Sequence, residues 1–323
     1  MLHTALYVVF FGLILITILP LFPSNHWFFR GWEFPRVQIS VLCVVSAATC
    51  LFLFPDPLFI VLFIGLVLSL FYHLVWIVPY TGLMDIEVRS SNQHDKGPRL
   101  KILTSNVLMP NKSADKLLAH IHTHKPDVVV TLESNQWWQE ALEEIHDDYP
   151  YRKFRPLENL YGMHLYSRYP LEDFEVVDLI EKDVPSMHGY LCLNENYKVK
   201  CHFTHPAPPS PTENVKSTPR DVELLLIAKQ VSEQSEDEPT IVAGDLNDVA
   251  WSPTTRQFRQ KSGLLDPRIG RGMFNTFHAD YLFLRWPLDH VFISHHFVLG
   301  NIQRLSSIDS DHFPLLTEIV LKN

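Results

Sequence analysis

Apolar residues crowd the first 80 positions of this 323-residue chain, and polar residues alternate with them only further along. Three apolar runs that are almost free of charge cover about residues 5–22, 37–54 and 58–78. Each is close to the roughly 20 residues that an α-helix needs to cross a bilayer. The pattern predicts three transmembrane helices within residues 1–84. A cleaved signal peptide is disfavoured, because the segment before the first run lacks Lys and Arg.

The cations beside these runs predict the side of the membrane on which the rest of the chain lies. Arg30 and Arg36 stand between the first two runs, and the tight turn at residues 55–57 has no cation. After the third run come Arg89, Lys96, Arg99 and Lys101. Both cation-bearing flanks share one side in a three-span topology, and the positive-inside rule makes that side cytoplasmic.

The remaining chain is predicted to be a polar linker at residues 85–98 and a globular domain at 99–323. Alternating or β-branched runs predict strands near residues 100–105, 127–132, 162–167, 189–193, 199–204, 240–244, 290–294 and 315–321. Capping residues predict helices over 113–122 and 134–147 and from Thr218 and Ser252. Strands with interspersed helices and several direct strand-to-strand connections favour two packed sheets covered by helices.

Charge and cysteine content narrow the function. The formal net charge of −9 falls on the part after residue 84, because the first 84 residues hold two cations and two anions. This negative charge argues against a broad positively charged surface that binds duplex nucleic acid, although it suits a site that binds a cation. Cys43 and Cys50 lie in the second run, and Cys192 and Cys201 lie on neighbouring predicted strands. Reduced, buried thiols are predicted, whereas a bridge between the last two would suit an exported domain.

Polar side chains follow the predicted strands where each strand ends or begins. They are Asn106, Glu133, His205, Asp245, Asn247, Asp289, Asp311 and His312. Each alone has an ordinary explanation as a helix cap, a turn residue or a structural histidine. Strand ends at one rim of a sheet are nevertheless where active sites are usually built.

Together these residue types meet the needs of metal-assisted phosphoester hydrolysis. A hard cation such as Mg²⁺ prefers carboxylate and carbonyl oxygens, which Glu133, Asn106 and Asp311 offer. An attacking water must be oriented and partly deprotonated, which suits Asp245 with Asn247.

The two histidines suit the other half of the reaction. His205 and His312 can donate to the charged phosphorus centre and to the leaving oxygen. A carboxylate behind an imidazole fixes its tautomer, and Asp289 would perform this task.

Ordered motifs carry a resemblance to a known family. Gly-Asp-Leu-Asn at 244–247, Leu-Asp-His-Val-Phe at 288–292 and Ser-Asp-His-Phe-Pro-Leu at 310–315 look like the last three signatures of the endonuclease/exonuclease/phosphatase superfamily, the DNase I-like phosphoesterases. Thr-Ser-Asn at 104–106, Leu-Glu at 132–133, the stretch 162–170 and Thr-His-Pro at 204–206 resemble its earlier motifs. The similarity covers about residues 99–321.

The resemblance implies an α+β fold, a four-layer α/β/β/α sandwich preceded by the three transmembrane α-helices. It implies Mg²⁺ or Mn²⁺ on Glu133, Asp245 and Asn247 at the attacking water or phosphate, and His312 paired with Asp289. Whether Asp245 or His312 is the base stays open. Two features depart from the family pattern: Leu132 stands where many members have Gln, and a proline-rich spacer at 206–211 follows His205.

The resulting hypothesis is a membrane-anchored, Mg²⁺-dependent phosphodiesterase of the nuclease type. It would lie in a bacterial inner membrane with the catalytic domain in the cytoplasm. A phosphodiesterase or phosphatase for phospholipid head groups is the alternative, because the spans favour a membrane-proximal substrate. A catalytically inactive scaffold of the same fold is the second alternative. The expected partners are a phosphoester substrate and the lipid bilayer, and the sequence leaves protein partners open.

Overall fold

The computed structural model describes residues 1–53 and 57–322, and its N-terminal part is helical. The helices there are α1 (Leu2–Ile18), α2 (Trp27–Arg30), α3 (Arg36–Phe52) and α4 (Pro57–Ile77). Two segments, His3–Leu21 and Pro57–Tyr80, are long and apolar enough to cross a membrane. These two agree with the first and third predicted runs.

The second predicted span is interrupted. Helix α3 covers most of it, but qualifies as a span only together with Trp27–Glu33, from which it is bent by 69°. By length and composition the described residues therefore contain two candidate spans, or three if this bent pair counts as one. The run is predicted to end at residue 54, and the turn is predicted at residues 55–57. Residues 54–56 lie outside the described part of the chain.

The second part of the chain alternates strands and helices. The strands are β1 (Arg99–Asn106), β2 (Val128–Leu132), β3 (Tyr151–Arg155), β4 (Met163–Ser167), β5 (Leu171–Val177), β6 (Ser186–Cys192), β7 (Lys198–Thr204), β8 (Thr240–Asp245), β9 (Asp289–Ile293), β10 (Phe297–Arg304) and β11 (Leu315–Leu321). The helices are α5 (Ala114–His124), α6 (Gln136–Ala141), α7 (Thr218–Ser232) and α8 (Pro253–Ser262).

The strands form two mixed sheets. One has six strands in the order β10-β11-β1-β2-β4-β3, and the other has five in the order β5-β6-β7-β8-β9. Only β1–β2 and β7–β8 pair in parallel. The inner faces of the sheets meet in one apolar core that includes Ile102, Val130, Phe203, Ile241 and Ile319. Helices α5 and α6 cover the outer face of the first sheet, and α7 and α8 that of the second. The predicted four-layer α+β sandwich is confirmed.

The N-terminal helical segment is fastened to the sandwich. The Tyr80 hydroxyl donates to the carbonyl of Ala250 over 2.6 Å, and Trp251 Nε1 donates to the carbonyl of Glu33 over 2.9 Å. Tyr80 and Trp251 are buried in one apolar cluster with Ile77 and Leu288. The ends of the candidate membrane helices therefore pack directly on the loop that follows β8.

The segment predicted as a linker also packs on the sandwich. Val88 is buried in the inter-sheet core, and Ser91 N donates to the carbonyl of Leu299 over 2.6 Å. Residues near 88–91 thus run beside β10. The four cysteines are free, and Cys43, Cys50 and Cys201 are buried, as predicted for reduced thiols.

Local predictions differ from the structure in two helices. The helix predicted over 134–147 is the short α6 followed by a 3₁₀ turn at Glu143–Ile145. Its cap is the Asn135 side chain, which accepts from Trp138 N, whereas the Ser134 hydroxyl donates to the carbonyl of Thr131. Helix α7 begins at Thr218, so that Ser217 occupies the capping position.

Candidate active site

Strand register brings the predicted site residues to one rim of the sandwich. Asn106 ends β1 and lies opposite Leu132, the last residue of the parallel strand β2, so Glu133 follows directly beside it. Asp245 ends β8 and lies opposite Asp289, the first residue of β9.

Two further strand ends complete this rim. His205 follows β7, which pairs in parallel with β8. His312 and Asp311 lie just before β11, whose first residue pairs with Thr104 of β1.

Asp245 is the centre of this group and is fully buried. Its Oδ2 accepts from Asn106 Nδ2 over 3.2 Å and lies 3.4 Å from His312 Nε2 and 3.7 Å from His205 Nε2. Its Oδ1 accepts from the backbone N of Asn247 over 2.9 Å. One carboxylate therefore contacts an amide and two imidazoles, the types of group that position a water and a phosphate.

His312 lies between two carboxylates. Its Nδ1 donates to Asp289 Oδ2 over 2.8 Å, while Nε2 faces Asp245. Burial alone would lower the pKa of His312, but the charges of Asp245 and Asp289 outweigh burial and hold its pKa well above the usual range. The two carboxylates therefore favour the protonated form of His312, and the hydrogen bond to Asp289 fixes the orientation of its ring.

His205 is electrostatically different. Burial, reinforced by the His312 charge, lowers the pKa of His205 to about 3. Its Nδ1 is buried and has no hydrogen-bond partner among the described residues. A neutral imidazole with an unused nitrogen remains available to a ligand.

Glu133 has the properties of a cation ligand. Its Oε1 accepts from Asn106 Nδ2 over 2.7 Å, and its Oε2 is buried without a partner among the described residues. Burial raises the pKa of Glu133 to about 8, since the Asn106 hydrogen bond offsets only part of the desolvation. Its backbone adopts the left-handed region with φ of 57°, a conformation often found at functional sites. A divalent cation would satisfy the unpaired oxygen.

Asp311 completes the predicted cation set less firmly. Its Oδ1 accepts from Ser310 Oγ over 3.3 Å, and its side chain lines the same cleft as Glu133. A second trio, Asp245, Asp289 and His312, also has its ligand atoms within 4.8 Å of one another. A cation there would have to displace the proton that His312 shares with the carboxylates, so Glu133 with its unpaired oxygen is the better first ligand.

The site opens into a cleft of about 350 Å³. Its polar lining includes Glu133, Glu213, Asn247 and Asp311, and among the described residues that line it none is Lys or Arg. The rest of the lining is mainly apolar or aromatic, including Phe34, Leu108, Leu160, Phe277 and Leu288.

Several lining residues had no signal in the sequence. Tyr161 packs on His205 with ring centroids 5.4 Å apart, and its hydroxyl donates to Glu213 across the cleft. Phe277 packs on His312 with centroids 4.9 Å apart. Phe34 comes from the loop between the first two apolar runs. These residues lie in loops far apart in sequence, where no periodic pattern marks them.

Asn247 is held from behind by a residue that the sequence also left unmarked. Arg220 is buried on α7, and its Nη1 donates to the carbonyl of Asn247 over 2.7 Å. The Asn247 side chain donates through Nδ2 to the carbonyl of Pro206 over 3.0 Å. The proline-rich spacer thus contributes a backbone group that positions the amide at the cleft.

The fold and the site define a DNase I-like phosphoester hydrolase. A sequence model of the Endonuclease/Exonuclease/phosphatase family matches residues 103–312. The chain belongs to this family, and the prediction of a hydrolase acting on phosphoester bonds is confirmed. No curated protein sequence matches the chain significantly.

Solved structures share the fold. TDP2 from D. rerio, in complex with a single-strand DNA product, is 15% identical with a TM-score of 0.57, covering 68% of this chain and 98% of that one. The human nocturnin catalytic domain with bound sulfate is 16% identical with a TM-score of 0.57, covering 71% and 96%. Sphingomyelinase C from Streptomyces griseocarneus is 20% identical with a TM-score of 0.51, covering 68% and 99%.

Proposed function

We propose that the chain is a membrane-anchored, divalent-metal-dependent phosphodiesterase. The observation that carries the proposal is the environment of Asp245, whose buried carboxylate lies within 3.7 Å of both His205 and His312. The unpaired carboxylate oxygen of Glu133 lies on the neighbouring strand end and lines the same cleft.

The proposed reaction is in-line attack of water on phosphorus. Asp245 orients the water and accepts one of its protons, while Asn247 positions the phosphate. A divalent cation held by Glu133, with Asn106 and Asp311, would supply positive charge to a phosphoryl oxygen. One P–O bond forms from the water and one breaks to the leaving alkoxide. The alkoxide takes up a proton, giving an alcohol and a phosphomonoester.

The histidines act on the charge that develops. His312 is held as a cation by Asp289 and stabilises the phosphorane-like centre or protonates the leaving oxygen. His205, a neutral imidazole, donates a hydrogen bond to a phosphoryl oxygen. This assignment favours Asp245 over His312 as the base, because the carboxylates on both sides of His312 favour its protonated form.

The test uses the full chain in lipid nanodiscs with a soluble chromogenic diester, bis(p-nitrophenyl) phosphate. Turnover is expected with Mg²⁺ or Mn²⁺ and not with EDTA. Asp245→Asn and His312→Gln are each expected to lower kcat by about 10²–10⁴-fold. Asp147→Asn and His122→Gln, at exposed positions remote from the rim strand ends, are the matched controls.

A metal-independent rate, or equal rates in the Asp245→Asn variant and the wild type, would refute this mechanism. Absence of turnover on any diester would favour the inactive scaffold instead. A nuclease is the substrate class suggested by the motif resemblance and by the DNA product in TDP2. A lipid phosphodiesterase is suggested by the likeness to sphingomyelinase C.

We further propose that the candidate spans anchor the chain in a bacterial inner membrane with the domain in the cytoplasm. The support is the position of Arg30 and Arg36, both near the domain-proximal end of α3. A reporter fused to the C-terminus that is active only in the cytoplasm should give signal. Signal solely from a reporter that requires the oxidising exterior would reverse the orientation.

A further inference from the structure

The loop after Phe277 exposes four consecutive apolar side chains. Tyr281, Leu282, Phe283 and Leu284 are 57%, 67%, 81% and 47% exposed. A run of this kind on a water-facing surface would be an aggregation liability, so it indicates a surface that contacts something apolar. We call residues 277–286 the apolar hairpin, because Phe277 pairs with Trp286 at its base.

The apolar hairpin lies beside the start of α3, which belongs to the bent pair that counts as a third candidate span. Gln38, in the first turn of α3, donates through Nε2 to the carbonyl of Phe283 over 2.8 Å. A helix rises about 1.5 Å per residue, so Gln38 lies only about 3 Å beyond the start of α3. The exposed tip of the hairpin is therefore level with the boundary at which α3 would enter the lipid.

The same hairpin forms a wall of the active-site cleft. Phe277, at its base, lines the cleft and packs on His312. Trp286 packs edge-on against Phe34, with ring centroids 5.9 Å apart, and Phe34 lines the cleft two residues before α3. One side of the cleft is thus built jointly from the hairpin and the membrane segment.

The lining of the cleft favours a particular kind of phosphodiester. A nucleic-acid strand carries repeated phosphates and is normally tracked by Lys and Arg. The described residues that line this cleft include Glu133, Glu213 and Asp311 but no Lys or Arg, alongside an apolar wall. This combination suits a single phosphodiester attached to an apolar body.

We propose that the apolar hairpin inserts its tip into the bilayer surface, and that the cleft takes its phosphodiester from a lipid of that bilayer. This inference rests on the proposed phosphodiesterase function and names its substrate class. Hydrolysis of such a lipid breaks one of its two P–O ester bonds and forms one to the water oxygen. It leaves an alcohol and a phosphomonoester, one of which retains the acyl chains and stays in the membrane.

The first test measures insertion without activity. Phe283→Cys, in a Cys192→Ser background, is labelled with a nitrobenzoxadiazole fluorophore, because the remaining cysteines are buried. The full chain is placed in phosphatidylcholine vesicles with and without lipids that carry a shallow doxyl quencher. The fluorophore at position 283 should be quenched, whereas one at Val222→Cys, an exposed position on α7, should not. Equal quenching at both positions would overturn the inference.

The second test compares two substrates. The full chain is assayed on vesicles made of equal parts of phosphatidylcholine, phosphatidylethanolamine and phosphatidylglycerol, and on bis(p-nitrophenyl) phosphate. Leu282→Glu with Phe283→Glu should lower lipid hydrolysis about 10-fold or more, because charged side chains no longer enter the lipid surface. Turnover of the soluble diester should stay within about 2-fold, because neither residue lines the cleft.

The control carries the same two charges elsewhere, as Ile180→Glu with Val222→Glu, both at exposed apolar positions. It should leave both rates unchanged. Unchanged lipid hydrolysis in the hairpin variant, or faster turnover of single-stranded DNA or RNA than of lipid, overturns this inference but leaves the proposed phosphodiesterase function standing. Absence of soluble-diester turnover in the wild type overturns the proposed function and this inference with it, while quenching at position 283 still reports insertion.

Discussion

The charges of the site residues depend on one another, because His312 is held between two carboxylates. Asp289 occupies one side and Asp245 the other, at 2.8 and 3.4 Å. Burial would raise the pKa of Asp289, but the His312 charge and hydrogen bond outweigh burial and lower it. Removal of one member therefore changes the charge of the others, and single substitutions here should not be additive.

Asp289→Asn tests the positioning of His312. The amide keeps the shape of the side chain but presents a weaker, uncharged partner to Nδ1, so the protonated form of His312 is less favoured and its ring is less firmly oriented. We expect kcat on the soluble diester to fall by about 10²–10⁴-fold with KM nearly unchanged. A proportionate rise in KM would instead indicate that Asp289 acts on binding.

Glu133→Gln tests the cation site by a measurement other than activity. A bound ion at 100 times its Kd stabilises a fold by about 2.7 kcal/mol. Saturating Mg²⁺ should raise the unfolding temperature of the wild type and leave that of the Glu133→Gln variant almost unchanged. Glu172→Gln, at an exposed ion pair, should keep the full Mg²⁺ response. An undiminished Mg²⁺ response in the Glu133→Gln variant would indicate that the cation binds instead at Asp245, Asp289 and His312.

His164 predicts how the fold responds to acid. It is fully buried in β4, neither ring nitrogen has a partner among the described residues, and burial lowers its pKa to about 3 from 6.5. Below pH 6.5 His164 is protonated in the unfolded chain but stays neutral in the folded chain. The free energy of unfolding therefore falls as the pH falls towards 3.

The substitution His164→Leu removes the imidazole that binds this proton. As the pH is lowered from 6.5 to 4, the free energy of unfolding should fall less steeply in the variant than in the wild type. The two slopes should differ by up to about 1.36 kcal/mol per pH unit. Urea titrations of the full chain in nanodiscs across this range would measure the slope. Parallel curves for variant and wild type would show that His164 does not titrate differently on folding.

Strand ends are the elements that assemble the site, and β8 ends in a tight backbone contact. Gly244 has a φ of 144°, and a Cβ built there would lie 2.0 Å from the carbonyl oxygen of Thr204 at the end of β7. Only glycine fits between these strands at that point. The close approach sets the position of the next residue, Asp245, relative to His205.

Gly244→Ala should therefore reduce both stability and activity. A backbone clash of this kind places the variant among the severely destabilised substitutions, at about 3 kcal/mol or more. Gly263→Ala is the control, because Gly263 also has a positive φ of 70° but open space around its Cβ position. It should cost about 1–2 kcal/mol and leave kcat unchanged. Equal losses of stability and activity in the two variants would show that the close contact between Gly244 and Thr204 does not determine the effect.

The central strands could be predicted from the sequence, whereas most edge strands could not. β2 and β8 are buried runs of β-branched and apolar residues, and β1 and β7 alternate basic with apolar residues before they become fully buried; the ends of all four identify site residues. The missed strands β3, β5 and β10 are all at sheet edges. Their sequences, such as Tyr-Arg-Lys-Phe-Arg in β3, carry the charges that protect edges from pairing. Register shifts in β5 and β10 further interrupt the alternation on which prediction depends.

At the scale of the whole molecule, Trp251 joins the N-terminal helical segment to the loop that follows β8. This residue is fully buried, packs against Tyr80 and is bonded to the carbonyl of Glu33. It lies four residues after Asn247, so one packed loop contacts both the N-terminal helical segment and the candidate active site. No sequence pattern indicated this contact, because it joins residues more than 200 positions apart.

Trp251→Ala should loosen the anchor from the domain. Loss of a large buried side chain costs about 3–5 kcal/mol, and here it also removes a bond to the membrane segment. Trypsin should then cleave at Arg36, which is fully buried in the wild type. Phe258→Ala, in the separate cluster under α7 and α8, should cost a similar amount yet leave Arg36 protected in the folded protein. Protection of Arg36 in both variants would contradict the coupling.

On the proposed membrane anchoring and lipid substrate, the contacts that fasten Tyr80 and Glu33 to the loop after β8 also determine how the enzyme meets its substrate. A cleft fixed to the anchor keeps one height and one tilt relative to the bilayer, so capture becomes a search in two dimensions. The relevant concentration is then the mole fraction of substrate in the leaflet, and dilution with inert lipid should slow the reaction while dilution of whole vesicles in buffer should not. Only lipids in the same membrane as the protein should be consumed.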